Sequence, residues 1–253
     1  MKFLILTRQR LLTGLCCFVA GVLAVFITLQ GVTAITASEM KQLNPICSVK
    51  TDEKKIAISF DTDWDDRETE KLIEVLRRYS VKASFFVVGA WVDKYPGSVK
   101  SIAAAGHEVC NQSNTHPHMP KLSRAEMQAQ IMDCNRKIQK ITGISPALFR
   151  PPYGDCSSNL VEAAQSMQMY CVMWDIDSFD WKNPTPGQIA ERVTSQVKPG
   201  SIVLFHNGAL NTVTALPDIL GTLQTQGYSI VPVSQLIYKD HYSVDRSGMQ
   251  IKN

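Results

Sequence analysis

Asp61 follows the run Ile56-Ala57-Ile58-Ser59-Phe60, and His206 follows Ile202-Val203-Leu204-Phe205. Between them lie three more polar groups at the ends of apolar stretches. These are the Asn111–His118 segment with His116, Arg150 after Ala147-Leu148-Phe149, and Asp177 with Asp180 after the Tyr170–Ile176 run. Carboxylates and imidazoles move protons and ligate metals, and an imidazole with an ordinary pKa near 6.5 does so near neutrality. Each residue also has a plain structural reading. Asp61 could cap a helix, His116 could be a loop histidine, Arg150 a surface ion-pair partner, Asp180 and Trp181 a turn and a core ring, and His206 a satisfied core histidine. Five polar groups, each just past a different apolar run, are hard to reconcile with chance.

The elements that position them alternate along the chain. Residues 55–60, 83–88, 107–110, 147–149, 170–176, 201–205 and 228–233 read as strands. Between them, 68–79, 98–105, 159–167, 186–197 and 216–225 read as helices, and Ser123-Arg124-Ala125-Glu126 is a capping box opening a further helix that Gly143 stops. Seven strands alternating with about six helices make a parallel α/β fold, either a barrel or an open doubly wound sheet. Polar residues gathered at strand C-termini favour the barrel, because barrel enzymes build their sites there.

The motifs in order are Ser59-Phe60-Asp61, Asn111 to His116, Arg150-Pro151-Pro152-Tyr153-Gly154, Asp177-Ser178-Phe179-Asp180-Trp181 and Leu204-Phe205-His206. On them the chain resembles the polysaccharide deacetylases of carbohydrate esterase family 4 (NodB-like) over about residues 54–238. Phe86-Val87-Val88-Gly89 and Asn114-Thr115-His116-Pro117-His118 bring it nearest the membrane-anchored sporulation group. The resemblance implies an incomplete seven-stranded (β/α) barrel that hydrolyses the N-acetyl amide on hexosamine residues of a cell-wall glycan. A divalent metal, usually zinc, would polarise the carbonyl and acidify a water. Asp61 would be the base, Arg150 its orienting partner, His206 the acid and Asp180 the carboxylate behind it. The Tyr153 N–H would hold the oxyanion, and Trp181 and Leu204 would wall the acetyl methyl.

Two positions depart from the family pattern. Thr62 stands where a second aspartate ligand is expected and Gln112 where the first of two histidine ligands is expected, which leaves His116. Neutral oxygens are poor zinc ligands. Asp63, Asp65, Asp66 and His118 are nearby substitutes, Asp63 the first of them. The replacements keep open a non-catalytic glycan-binding or sporulation scaffold on the same fold, and also an altered hydrolase whose metal sits between His116 and Asp61 or Asp63.

Charge narrows the remaining possibilities. The net charge is +3, and Lys2, Arg8 and Arg10 account for it, so the rest is formally neutral and lacks the basic stripe of a nucleic-acid-binding protein. There is no P-loop and no GxGxxG. Residues 11–38 carry no charge, and the run Leu11–Gln30 has the length of roughly 20 residues that a membrane-spanning helix needs. Its basic flank puts Met1 in the cytoplasm and the bulk of the chain outside. An uncleaved anchor fits this long run better than a signal cut near Val32-Thr33-Ala34, which would leave a secreted protein. The expected organisation is a cytoplasmic start and anchor over 1–37, a stalk over 38–53, the deacetylase-like domain over 54–238 and a polar tail over 239–253. Five cysteines follow the anchor, Cys47, Cys110, Cys134, Cys156 and Cys171, without a CxxC pair. The odd number leaves at least one thiol unpaired or bonded to another molecule, and buried free thiols fit the set at least as well as a disulfide.

Overall fold

The structure, a computed structural model, describes residues 43–253. The expected cytoplasmic start and membrane-spanning run lie outside the described residues. No helix among the described residues is long and apolar enough to cross a membrane.

Strand β2, Lys55–Thr62, shows how the chain is arranged. Side chains on a strand alternate between its faces. Ile56, Ile58 and Phe60 point to one side, where they join Phe85, Val203 and Phe205 against the helices. Each is fully buried, which is worth about 1.5–3 kcal/mol per side chain. Ala57 faces the other way, packing with Phe86, Leu148, Val172 and Ile202. Ser59 and Asp61 share that inward face, so a polar column rises from an apolar floor. The outer layer is tight at its centre, where the Phe60 and Phe85 rings stack at 4.8 Å.

Around β2 stand β3 (Ser84–Val87), β4 (Glu108–Asn111), β5 (Leu148–Phe149), β6 (Tyr170–Cys171), β7 (Ile176–Asp177) and β8 (Ile202–His206). They form one curled sheet in the order β6-β5-β4-β3-β2-β8-β7, with β9 (Ser229–Val231) on the start of β2, and every pairing is parallel. The curled α/β sheet agrees with the expected incomplete barrel. The single strand expected over 170–176 is two. Its first residues pair with β5 and its last with β8, so one extended segment reaches both edges of the sheet. Met173 lies between them and donates its N–H to the Ile46 carbonyl at 2.7 Å, outside either ladder.

The helices that cover the sheet are α1 (Thr69–Arg78), α2 (Gly89–Lys94), α3 (Pro96–Ala104), α4 (Arg124–Thr142), α5 (Ser158–Gln165), α6 (Pro186–Thr194), α7 (Thr212–Thr225) and the short α8 (Val233–Leu236). The capping box of Ser123 with Glu126 opens α4, and Gly143 in the left-handed region closes it. Helix α2 is an addition to the expected set, begun at Val88 without any side-chain cap.

Both ends of the described chain carry short paired strands. Part of the expected stalk is folded: β1 (Ser48–Val49) pairs with β11 (Met249–Lys252), and Ile46 and Val49 are buried. The expected polar tail forms the hairpin β10 (Tyr242–Val244) to β11. Asp245 ties its turn by accepting the N–H groups of Ser247 and Met249.

Candidate active site

The polar column of β2 ends in Asp61, which is 6% exposed. Arg150, fully buried at the end of β5, donates from Nη1 to Asp61 Oδ1 at 2.7 Å. Its Nη2 donates to Ser59 Oγ at 2.9 Å and to the Met173 carbonyl at 3.0 Å. The guanidinium carbon lies 3.9 Å from the centre of the Phe86 ring. Every partner is a fixed part of the barrel wall, so neither charge of this ion pair is free to turn.

Across the mouth, His206 ends β8. Its Nδ1 is 2.8 Å from Asp180 Oδ1, while its backbone N–H donates to Asp180 Oδ2 at 2.8 Å. Thr212 Oγ1 donates to the same Oδ2 at 2.6 Å. With Nδ1 engaged, Nε2 is the ring nitrogen left for the cavity. Burial pulls the imidazole pKa down, but the bond to Asp180, with the charges of Asp180, Asp61 and Asp63, outweighs it and the net direction is up. The Trp64 ring stacks on the imidazole at 5.5 Å and 14°.

Between these pairs lies a cavity of about 350 Å³, lined by Asp61, Asp63, Gln112, His116, Tyr153, Trp181, Leu204 and His206, and also by Trp64, Gly154, Trp174 and Asp177. Arg150 and Asp180 stand behind the lining as supports. Several loops at the mouth are held in the left-handed region by non-glycine residues: Ser113, His116, Tyr153 and Phe179. Such residues cost about 1–3 kcal/mol each and cluster at functional sites. Gly154 also has positive φ, and a Cβ there would stand 3.1 Å from Trp174. The Tyr153 ring packs between His116, at 4.3 Å, and His118, at 4.4 Å.

The plain structural alternatives fail for Asp61, Arg150 and His206. Helix α1 starts at Glu68 with no side-chain cap, so Asp61 caps nothing there. Arg150 is interior rather than on the surface, and His206 faces the cavity.

The residues present do not form the zinc site that the family resemblance implies. Asp61 and Asp63, two apart, both line the cavity, whereas Thr62 is not part of the lining. Its buried Oγ1 has no hydrogen-bond partner. Gln112 turns its Nε2 toward Asp61 Oδ2 and donates at 2.5 Å, leaving its own Oε1 buried without a partner. His116 Nε2 is 3.8 Å from Asp63 Oδ2. Burial pushes the Asp63 carboxyl up and the His116 imidazole down. His118 turns outward to Asp155 at 3.1 Å. No group of three or more His, Cys, Asp or Glu among the described residues is placed to hold a metal ion. The donor set does not fit zinc: Arg150 and an amide N–H occupy the two oxygens of Asp61, which leaves only Asp63 and His116 as ligand types facing the cavity.

Sequence reasoning missed Trp64, Trp174 and the cavity-facing role of Asp177. Trp64 was in principle legible, because it lies only three residues past Asp61 at a strand end. Asp177 accepts the Phe179 N–H at 2.8 Å and is reached by Trp181 Nε1 at 3.5 Å, which fixes one cavity wall.

The sequence profile of the family described as polysaccharide deacetylase matches residues 48–172. The chain is 36% identical over 189 residues to a peptidoglycan-N-acetylmuramic acid deacetylase of Bacillus subtilis, covering 75% of this chain and 40% of that longer relative. It is 35% identical over 198 residues to a peptidoglycan-N-acetylglucosamine deacetylase of Bacillus cereus, covering 76% of this chain and 92% of the relative. Among solved structures, a CE4 family pseudoenzyme from Bacillus anthracis matches with a TM-score of 0.75 at 32% identity, over 83% of this chain and 73% of that one. A mutant of that pseudoenzyme, described as having restored enzymatic activity, matches with the same TM-score at 34% identity, over 78% of this chain and 72% of that one. On the profile match, a relative spanned over nine-tenths of its length and the shared fold, the chain belongs to the polysaccharide deacetylase family.

Proposed function

We propose that the chain binds N-acetylated hexosamine residues of a cell-wall glycan and hydrolyses their acetamide. The observation that carries this reading is the convergence of two buried ion pairs on one cavity, Asp61 with Arg150 at 2.7 Å and His206 with Asp180 at 2.8 Å. Amide hydrolysis needs a base for the incoming water and an acid for the leaving amine. Asp61 takes the proton from a water that attacks the acetyl carbon, held in one orientation by Arg150. The Tyr153 N–H donates to the oxygen on which charge develops. His206 Nε2 then protonates the amine nitrogen as the C–N bond breaks, releasing acetate and a free amino sugar. Leu204, Trp181 and Trp174 form apolar walls for the methyl group. Base and acid carry this chemistry, each worth about 10²–10⁴-fold.

The test is release of acetate from N-acetylglucosamine oligomers and from peptidoglycan by the purified protein, with Asp61→Asn as control. Acetate that disappears in the control supports hydrolysis; tight glycan binding with no acetate from the natural protein sinks it. One observation favours that second outcome, a glycan-binding protein without turnover: the Gln112 amide already occupies Asp61 Oδ2. The likeness to a pseudoenzyme of the family points the same way. The reading also places the domain outside the cell, tethered by the uncharged run behind Lys2, Arg8 and Arg10. Protease added to intact cells is then expected to digest the chain beyond residue 38; protection until lysis would refute it.

A further inference from the structure

Cys156 and Cys171 lie side by side, with their sulfurs 4.0 Å apart. The chemistry proposed above uses neither. Cys171 is buried at the end of β6, where it pairs with Phe149 of β5. Cys156 is half-buried, two residues past Gly154 in the loop that carries Tyr153. We propose that these two cysteines are a redox pair that closes into a disulfide and ties the Tyr153 loop to β6.

A disulfide bond is about 2.0 Å long, so the sulfurs must approach by roughly 2 Å. The reaction needs a disulfide oxidant such as glutathione disulfide. The Cys156 thiolate attacks one oxidant sulfur, a mixed disulfide forms and one glutathione thiolate leaves. Cys171 then gives up its proton and attacks Cys156 Sγ, and the second glutathione leaves as thiol. Two protein thiols are oxidised and one glutathione disulfide is reduced to two thiols.

The order of attack follows from the surroundings. The contact with the Cys171 sulfur lowers the Cys156 pKa and favours its thiolate. Its partial exposure admits the oxidant. Cys47 is the nearby competitor, since Ile46 donates its N–H to the Cys171 carbonyl at 2.8 Å. Burial, with help from Asp175, pushes the Cys47 thiol up to about 11, so it stays protonated at neutral pH. Cys110 and Cys134 are deeply buried. The bridge would close a loop between positions 15 residues apart that contains all of α5. Cross-linking removes entropy from the unfolded chain and stabilises the folded one.

The full chain, purified reduced, is exposed to glutathione disulfide, and its alkylated peptides are mapped by mass spectrometry without reductant. The expected result is one cross-link, Cys156 to Cys171. A rise in Tm of several degrees and slower hydrogen exchange over residues 151–157 should accompany it, and dithiothreitol should reverse both. Cys156→Ser removes the cross-link and the shifts, whereas Cys47→Ser keeps them. Cys156→Ser changes a half-exposed side chain, so it serves if Cys171→Ser folds poorly. Both thiols remaining reduced at saturating oxidant, a stable glutathione adduct on Cys156, or a bridge from Cys47 would each overturn the proposal. None of these readouts depends on acetate release.

Discussion

Replacing Arg150 by methionine removes the group on which both the candidate base and the barrel interior rest. Arg150 is fully buried, and its donors reach Asp61 Oδ1 at 2.7 Å, Ser59 Oγ at 2.9 Å and the Met173 carbonyl at 3.0 Å. Methionine has comparable length and packs against Phe86, but it has no donor. Asp61 would keep only the Gln112 amide. Removing one partner of a buried ion pair costs about 3–5 kcal/mol, because the other charge stays buried and uncompensated. For a domain of this size that corresponds to a fall in Tm of roughly 6–20 °C, at 2–4 °C per kcal/mol. Urea unfolding should show a lower midpoint with an unchanged slope. The cause is separable by a double-mutant cycle. Adding Asp61→Asn removes the stranded charge, so the double variant should be destabilised by at least about 1 kcal/mol less than the sum of the singles. An Arg150→Met protein within about 1 kcal/mol of the natural one, or a strictly additive cycle, would show that this ion pair is not what holds the interior.

His206→Ala should lower acetate release by about 10²–10⁴-fold and also lower the unfolding midpoint, because the buried Asp180 loses its imidazole partner; activity within a few fold of natural would remove His206 from the chemistry. Gln112→His should raise zinc affinity by at least about tenfold, roughly 1.4 kcal/mol, because an imidazole would then stand beside Asp61, Asp63 and His116 in place of an amide donor; titration showing no gain refutes it. His107 accepts the Ala83 N–H on Nδ1 at 3.2 Å, and burial, helped by the charge of Lys82, pulls it down to about 4. The unfolded chain takes up this proton below about pH 6.5 and the folded one only near 4, so folding stability should fall by roughly 2–3 kcal/mol as pH drops through that window. His107→Gln should flatten the dependence, and an equal slope in both proteins would refute the assignment.

What the sequence made legible and what it hid follow from how local each signal is. The capping box at Ser123 and the stop at Gly143 bound a helix because the backbone groups they satisfy lie within one turn. Asp61, Arg150, Asp180 and His206 stood out because each follows an apolar strand, and the parallel sheet brings all four strand ends to one rim. The division of 170–177 between β5 and β8 was hidden, because the pairing partners lie far away in the chain. The pairing of Ser48 and Val49 with Met249 and Gln250 was hidden for the same reason, since the partners lie near opposite ends of the described chain; the hairpin of β10 with β11 is local. Helix α2 left no trace because Val88 offers no cap, and its helix is held by burial of Trp91 and Val92 instead. The orientation of Asp63 was undecidable from sequence, since alternation is reliable on a strand but Asp63 lies just beyond the end of β2.

The departures at Thr62 and Gln112 are connected through charge. A barrel mouth holding Asp61 and Asp63 two residues apart carries two carboxylates in one cavity, and such a pair needs compensation. In this chain the compensation comes from protein groups. Arg150 and the Gln112 amide take the two oxygens of Asp61, and His116 stands 3.8 Å from Asp63. A glutamine at position 112 therefore does more than omit a ligand: its N–H points where a ligand's lone pair would have to be, and satisfies the carboxylate that faces it. The interior can remain packed and hydrogen-bonded on these contacts alone, which explains how the Asp61–Arg150 and His206–Asp180 pairs keep their geometry beside a donor set that does not suit zinc.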